Sequence, residues 1–371
     1  MPLYIGLMSG TSLDSIDAAL VHCGDDRPEW LGATGVTFPA ALREDLLALC
    51  LARETSFSEL ARLETAFCEY QAEAVNRLLT ETGTSPDDIA AIGSHGQTIE
   101  HAPEGVPPHT YQLDNPSLLA ELTGCAVVGD FRRRDMAAGG QAAPLAPAFH
   151  AALFTSAEHT RLILNLGGIA NLTHLPPSGD SAPVLGFDTG PANMLMDAWC
   201  QRHLGHAYDA DGAWAASGHV DAALLSRLLD DPYFRRPPPK STGREHFHLD
   251  WLTTHLTGDE APRDVQATLA ELTAASIAMA ITQDSERLDT CYDALIPCGG
   301  GAHNVDLLAR LRRHVPDIPL TPCERFGWST DWLEAGAFAW LAHQRLAGRS
   351  GNLPEVTGAR APRVLGGLYA P

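Results

Sequence analysis

Residues 3–23 read LYIGLMSGTSLDSIDAALVHC, which is an apolar segment, a turn of small and hydroxyl side chains, and a second apolar segment. This order predicts a β-hairpin whose second strand covers residues 16–21. Residues 161–175 read RLILNLGGIANLTHL and repeat the same order about 155–160 residues later. The repetition indicates a duplicated hairpin.

Around both hairpins, apolar runs typical of strands alternate with segments of helical periodicity. We expect strands at 89–92, 126–129 and 294–297, and helices within 41–80, at 116–123, at about 264–283, from 305, and at 331–346. Ser56 and Glu59 stand in capping-box register, and Gly83 is placed to end a helix. Alternation of this kind predicts the α/β class.

The chain has 371 residues, more than a single hydrophobic core of about 250–300 residues supports, so at least two domains are expected. Its 25 basic and 46 acidic residues give a net charge of −21, which argues against a nucleic-acid partner or a polybasic membrane surface. The single lysine, Lys240, lies in a Pro-rich stretch. That position suits neither a P-loop nor a Schiff-base enzyme, so both classes are disfavoured.

The eight cysteines are scattered without any CxxC pair, which predicts reduced thiols and a cytoplasmic protein. No uninterrupted apolar run approaches the roughly 18 residues of a membrane span, so no membrane is expected. The 16 histidines show no paired ligand spacing, and no metal site made by the protein alone is predicted.

Three glycine-bearing turns suggest a phosphate ligand. In MSGTSLDSID (residues 8–17) and NLGGIAN (residues 165–171), small residues between strands would leave backbone N–H groups open to a phosphate chain. GGGAH (residues 299–303) lies between a strand and a helix and lacks the G-x-G-x-x-G spacing of a dinucleotide site. Each turn, taken alone, is also compatible with an ordinary hairpin or loop.

Polar side chains follow other predicted strands. Asp188 in FDTGPAN is placed to act as a general base, or alternatively to cap the following helix. SHGQT (residues 94–98) suits sugar hydroxyls or a ring carbonyl, although a single histidine in a loop is more often structural. The cluster DFRRRD (residues 130–135), interpreted as a loop, offers guanidinium groups to an anion or pairs with its own aspartates. Glu334 on a buried helix would need a ligand, or form a capping pair with Asp331.

Taken together, GLMSGTSLDSIDAALV, IGSHGQT, TGCAVVGDFRRRDMAAGGQAAPLAPAFH, NLGGIANLT, GFDTGPANMLMDAW, DVQATLAELTAASI, CGGGAHN and EAGAFAWLA occur in the order found in anhydro-N-acetylmuramic acid kinases. The resemblance runs from about residue 4 to residue 350. It implies an actin/hexokinase/Hsp70-type fold of two RNase H-like α/β domains with ATP in the cleft between them. The implied reaction opens the 1,6-anhydro ring with water and phosphorylates O6, giving N-acetylmuramate 6-phosphate for peptidoglycan recycling.

The resemblance also assigns roles. Asp188 matches the catalytic base, which activates water. The residues expected to bind ATP are Gly10, Thr11, Ser12, Leu13, Asp14, Ser15, Ile16, Asp17, Asn165, Gly167, Gly168, Gly299, Gly300, Gly301 and Asn304. The residues expected to bind the sugar and its lactyl carboxylate are His95, Gln97, Thr98, Arg132, Asn193 and Glu334. Mg²⁺ is expected to arrive with the nucleotide.

The chain departs from the family pattern at two positions. Ser15 and Ala142 stand where glycine is usual, and a left-handed conformation at Ser15 would cost about 1 kcal/mol. We expect an N-terminal domain of residues 1–135 plus about 352–371, a C-terminal domain of residues 136–351, and a homodimer as an open possibility. Two alternatives to the kinase are a kinase of another anhydrosugar such as levoglucosan and a non-catalytic, actin-like or Hsp70-like ATP-binding protein.

Overall fold

The computed structural model describes residues 2–10, 13–24, 27–52, 54–238, 240–244 and 246–371. The chain divides into two compact units, one formed by residues 1–153 with 327–371 and the other by residues 154–326. The predicted boundaries lay elsewhere, at residues 135 and 352. The last long helix returns to the first unit because it packs against four strands of that unit's sheet.

The strands are β1 (Leu3–Met8), β2 (Ser15–His22), β3 (Glu29–Thr37), β4 (Ile89–Ser94), β5 (Gln97–Ala102), β6 (His109–Leu113), β7 (Val127–Gly129), β8 (Arg161–Leu166), β9 (Ile169–Leu175), β10 (Leu185–Pro191), β11 (Ala294–Cys298) and β12 (Gly367–Tyr369).

The α-helices are α1 (Ala40–Leu51), α2 (Phe57–Thr82), α3 (Pro116–Thr123), α4 (Phe131–Ala137), α5 (Ala146–Phe154), α6 (Asn193–Leu204), α7 (Ala213–Ala216), α8 (Ala222–Leu229), α9 (Leu249–His255), α10 (Pro262–Leu288), α11 (Val305–His314), α12 (Leu333–Leu346) and α13 (Pro354–Thr357).

The first unit is built on a sheet of order β12-β7-β4-β1-β2-β3. Strands β1, β2 and β3 are antiparallel neighbours, whereas β4 runs parallel to β1 and β7 runs parallel to β4. A parallel pair needs a crossover, which α1 and α2 supply between β3 and β4. Ser56 caps α2 by accepting from the Glu59 N–H at 3.1 Å, and Gly83 ends the helix at φ 67°. The Ser56 cap and the Gly83 stop are confirmed, whereas the Glu59 carboxylate accepts from Arg62 and does not complete the capping box.

The second unit repeats the arrangement with a sheet of order β10-β9-β8-β11. Strands β8, β9 and β10 are antiparallel neighbours, and β11 runs parallel to β8. The sheet therefore has the same order as β3-β2-β1-β4 in the first unit. This shared topology confirms the duplicated hairpin and the predicted pair of RNase H-like α/β domains.

Helix α12 is buried on nearly all sides, as its apolar pattern predicts. Two glycines of the first sheet allow this close approach. A Cβ at Gly6 would overlap the backbone of Ala335, and one at Gly93 would overlap the backbone of Phe338. The helix therefore lies directly on the backbone of β1 and β4.

Helix α10 forms much of the core of the second unit, where Leu269, Leu272 and Ile277 are buried. By length and composition alone it is also apolar enough to cross a membrane. Within its most apolar window, 83% of the residues are buried inside the protein, a burial typical of a core helix in a soluble protein.

Candidate active site

The loop between β1 and β2 is the first predicted phosphate loop. Thr11 and Ser12 lie outside the described residues. The residues that flank them are joined: the Leu13 N–H donates to the carbonyl oxygen of Gly10 at 3.2 Å and closes the turn. The side chains of Leu13 and Ile16 are buried in the core of the first unit, so only their backbone could face a ligand.

The polar residues of this loop are held by their neighbours. Ser15 begins β2 in an extended conformation and donates to Asp17 Oδ1 at 2.9 Å, whereas the left-handed residue is Leu13 at φ 55°. The strain considered for Ser15 is therefore absent. Asp14 pairs with Arg43 at 3.1 Å on the surface. Burial raises the pKa of Asp17. The Ser15 hydrogen bond lowers that pKa, whereas the nearby carboxylates of Asp331 and Asp14 raise it.

Ala142, the second departure from the family pattern, does adopt a left-handed conformation at φ 61°. Its N–H donates to the buried Asp135 at 2.8 Å, and its carbonyl oxygen accepts from Arg132 Nη1 at 2.6 Å. Asp135 also accepts from Asn352 and Thr357. These bonds hold the backbone in a conformation that favours glycine.

The second predicted phosphate loop is the tight turn between β8 and β9. Gly168 is exposed, and the Gly167 and Gly168 carbonyl oxygens accept from backbone N–H groups at the start of α6. Asn193 opens that helix and donates from Nδ2 to the carbonyl oxygen of Leu166 at 2.9 Å. Asn193, predicted as a sugar ligand, therefore supports the turn through this bond.

The glycine run 299–301 packs against the same turn. A Cβ on Gly299 would overlap the Asn165 side chain, and one on Gly301 would lie 2.7 Å from Cβ of Leu166. Gly300 is exposed with open space around its Cα. Asn304 caps α11 by accepting from the Leu307 N–H at 2.9 Å. The second unit thus gathers the turn, the glycine run and the start of α6 at one end of its sheet.

Asp188 lies in β10, beside a register shift that separates it from Gly190 in the pairing with β9. Ala192 occupies the N-cap of α6 and makes no side-chain cap bond, so Asp188 does not cap this helix. Its Oδ2 instead accepts from the Thr242 N–H at 3.0 Å. The carboxylate is oriented by a distant loop, which leaves the general-base interpretation in place.

Three residues around Asp188 were not predicted as part of the site. Tyr233 donates its hydroxyl to the Asp188 carbonyl oxygen at 2.9 Å, and the Asp188 N–H donates to the Lys240 carbonyl oxygen at 3.1 Å. The Thr242 hydroxyl is buried and has no hydrogen-bond partner among the described residues. The available signal was Lys240 itself, the one lysine of the chain, followed directly by two hydroxyl residues.

In the first unit, His95 and Arg132 form the centre of the predicted sugar set. Arg132 donates from Nε and Nη2 to His95 Nε2, at 3.1 and 2.9 Å. Burial, together with the Arg132 charge, lowers the pKa of His95 well below its usual value, so the imidazole is neutral and accepts. Burial lowers the pKa of Arg132 to about 10, and the charges of Glu334 and Asp135 oppose that shift. The guanidinium therefore stays charged at neutral pH.

Gln97 and Thr98 begin β5, next to His95. Gln97 is 3% exposed, and its Oε1 has no hydrogen-bond partner among the described residues, which is what a side chain awaiting a ligand would show. Its Nε2 donates to the Thr98 carbonyl oxygen at 3.2 Å, and Thr98 Oγ1 accepts from Gln112 at 3.3 Å. The structure thus brings His95, Gln97, Thr98 and Arg132 to one end of the first sheet.

Two expectations, that Glu334 is buried and that DFRRRD is a loop, were wrong, whereas the expected pairing of an arginine with the segment's own aspartates is confirmed for Arg133. Glu334 is exposed, so burial does not demand a ligand for it, and the capping pair is absent because Trp332 occupies the N-cap of α12. The segment DFRRRD forms α4, and the helix separates its arginines. Arg133 pairs with Asp130 at 3.7 Å and, with Arg134, lines a separate cavity of about 510 Å³.

Among the described residues, no group of three or more His, Cys, Asp or Glu side chains is placed to hold a metal ion. None of the eight cysteines, all of which are described, forms a disulfide, and six of them are buried. What the described residues offer is an oriented carboxylate, an arginine held by a neutral imidazole, and turns with accessible backbone.

Residues 2–371 match the family model described as anhydro-N-acetylmuramic acid kinase. Among curated proteins, the anhydro-N-acetylmuramic acid kinase of Chromohalobacter salexigens is 82% identical, and the alignment covers 100% of both chains. Those of Xanthomonas axonopodis pv. citri and Nitrosospira multiformis are 52% and 50% identical, with 99% of this chain and 98% of each relative covered.

Solved structures resemble the chain more distantly. Component A of the (R)-2-hydroxyglutaryl-CoA dehydratase of Acidaminococcus fermentans is 11% identical, with a TM-score of 0.47 and coverage of 94% of this chain and 100% of that one. A ROK family glucokinase from Streptomyces griseus is 16% identical, with a TM-score of 0.40 and coverage of 92% and 99%. Both scores are below 0.5, so neither structure bears on function.

Proposed function

The chain belongs to the anhydro-N-acetylmuramic acid kinase family, and from that membership we propose how its residues divide the work of the reaction. Its activity is that of an anhydro-N-acetylmuramic acid kinase, with ATP as the phosphate donor. The observation that carries this assignment is 82% identity over the full length to a relative of that name. The same identity favours neither the levoglucosan alternative nor a non-catalytic protein.

Asp188 is the general base in this proposal. The carboxylate takes a proton from water, the water oxygen bonds to C1, and the C1–O6 bond breaks. O6 then attacks the γ-phosphorus of ATP, and ADP leaves. The Thr242 N–H on Oδ2 supports this role because it fixes the direction of the carboxylate. The buried Thr242 hydroxyl is a further group that could orient the water.

The backbone turns hold the nucleotide. Phosphoryl transfer requires mainly positioning and neutralisation of charge, which backbone N–H groups supply without a lysine. Gly168 and Gly300 in the second unit are exposed, and a Cβ at Gly300 would meet no atom within 4 Å, so the backbone there is open to such an approach. The cleft expected between the two units stays a prediction.

Mg²⁺ would enter with ATP, since the ion normally binds phosphates, waters and one or two carboxylates. The carboxylate that fits is Asp17, because its raised pKa reflects burial beside the acidic Asp331 and Asp14, where a cation would relieve the repulsion. When bound, the ion would neutralise charge on the phosphates. A homodimer, a cytoplasmic location and the absence of nucleic-acid and membrane partners stay predictions.

Arg132 would bind the lactyl carboxylate. Its guanidinium is held by His95 and by the Ala142 carbonyl oxygen, so its direction is set before the substrate arrives. Gln97 and Thr98 would contact sugar hydroxyls or the N-acetyl group. A local cation also offsets the repulsion between an anionic sugar and a chain of net charge −21.

The direct test is an assay with ATP and 1,6-anhydro-N-acetylmuramic acid in water enriched in ¹⁸O. The product mass should show the addition of one phosphoryl group and one water, with the heavy oxygen at C1. Levoglucosan is the matched alternative sugar. Equal or faster turnover of levoglucosan, or a product without added water, would contradict the proposed reaction.

A further inference from the structure

Lys240 is buried in the second unit, although it lies in a Pro-rich loop. It is 6% exposed, and Nζ donates to the carbonyl oxygens of Tyr233 at 3.3 Å and Phe234 at 3.4 Å. Nζ also lies 4.8 Å from the centre of the Tyr233 ring. Among the described residues, Lys240 forms no ion pair within 4.0 Å, although burial of an unpaired ammonium is costly. Packing alone would be better served by an apolar side chain.

The residues that Lys240 joins are the ones that hold Asp188. Tyr233 donates to the Asp188 carbonyl oxygen, Lys240 accepts from the Asp188 N–H, and the Thr242 N–H donates to Asp188 Oδ2. The Lys240 ammonium connects these groups, because its bond to the Tyr233 carbonyl oxygen joins the turn Pro232–Arg235 to the segment 240–242. Asp188 is therefore held on both sides by elements that Lys240 links.

The charge of Lys240 also acts on Asp188. Burial and the Arg236 charge lower the pKa of Lys240 to about 8, and the Asp188 carboxylate opposes that shift. The attraction is mutual, so a protonated Lys240 favours the ionised form of Asp188. The other charged or titratable groups around the Tyr233 ring are Arg236, whose guanidinium lies 6.0 Å from its centre, and His246, which bonds Asp231 at 3.0 Å.

We propose that Lys240 is a positioning residue for the reaction, whose ammonium locks the loop around Asp188 and keeps the Asp188 carboxylate ionised. This inference rests on the proposed role of Asp188 as general base. It assigns a function to the single lysine of the chain, and it requires no contact between Lys240 and the substrate.

The test is Lys240→Met, which keeps the length of the side chain and removes the charge. We expect kcat to fall at least about tenfold, KM for ATP to change less than about twofold, and the acid limb of the kcat profile to move to higher pH. Arg236→Met is the matched control, because Arg236 is an exposed cation on the same ring and its loss should leave that limb in place. His246→Gln, which removes the nearby imidazole, should also leave it in place.

A uniform fall in kcat with an unmoved acid limb would overturn the electrostatic role, and an unchanged kcat would overturn the whole inference. If Lys240→Met fails to fold, Lys240→Ala is measured with and without added ethylamine. Recovery by ethylamine and not by ethanol is expected, and recovery by neither would count against the proposal. Full activity in Asp188→Asn would instead contradict the proposed function, so the two failures are distinguishable.

Discussion

Arg132 takes its direction from the bonds around it. Two of its nitrogens donate to the neutral His95, and a third donates to the backbone of Ala142. A lysine has no planar fork and cannot make these bonds together while it also meets a carboxylate. The binding of the sugar should therefore depend on the guanidinium shape as well as on its charge.

We predict that Arg132→Lys raises KM for the anhydro-sugar about tenfold, which corresponds to about 1.4 kcal/mol, with little change in KM for ATP. Arg133→Lys is the matched control, because the neighbouring Arg133 is exposed and pairs only weakly with Asp130. Steady-state kinetics with each substrate varied would check this. Equal effects of the two substitutions would contradict the role given to Arg132.

At the scale of elements, the contact between α12 and β4 depends on the absence of a side chain at Gly93. We predict that Gly93→Ala lowers the free energy of unfolding by about 1–3 kcal/mol, because a methyl group would overlap the Phe338 backbone and force the helix outward. Gly24→Ala is the control, since the added methyl would meet only a His22 ring atom at 3.9 Å. Urea unfolding of the three proteins gives the comparison.

Local signals in the sequence predicted several elements well. The Ser56 cap and the Gly83 stop bound α2, and the helix at 116–123 has the predicted limits. The segment 130–135 was interpreted as a loop, yet it forms most of α4, because Phe131 packs in the core while Arg133 and Arg134 remain exposed. A short, charged helix of this kind is decided by tertiary packing, which a local pattern does not contain.

The candidate site could be predicted from the sequence only in part, for the same reason. His95 directly follows β4 and could be predicted because strand ends carry ligands in α/β sheets. Asp188 was also expected at a strand end, but it lies within β10 beside a register shift. Lys240 and Thr242 could not be predicted, because more than 50 residues separate them from Asp188 and only the folded loop brings them together. Whether a side chain is buried or exposed could also be learned only from the structure, since Glu334 was expected to be buried and is exposed.

At the scale of the whole molecule, buried neutral histidines make stability depend on pH. Burial lowers the pKa of His150 from 6.5 to about 4, and that of His95 falls in the same direction. Between these values the unfolded chain binds more protons than the folded one, so stability is lost as pH falls below about 6.5.

We predict that the free energy of unfolding falls between pH 7 and pH 5, with about 2 kcal/mol of the loss due to His150. His150→Gln should reduce the slope over this range, whereas His219→Gln, at an exposed position, should not. Urea unfolding at several pH values measures both slopes. Parallel curves for the native protein and His150→Gln would contradict the prediction.

The central claim is that one carboxylate, Asp188, starts both ring opening and phosphoryl transfer. Asp188→Asn keeps the size of the side chain and its bond to the Thr242 N–H but removes the base. The most direct measurement follows sugar product and ADP together for this variant, with ATP binding measured by calorimetry. We predict that both products fall at least about 100-fold while ATP affinity is unchanged. Ring opening or phosphorylation that survives at the native rate would contradict the account.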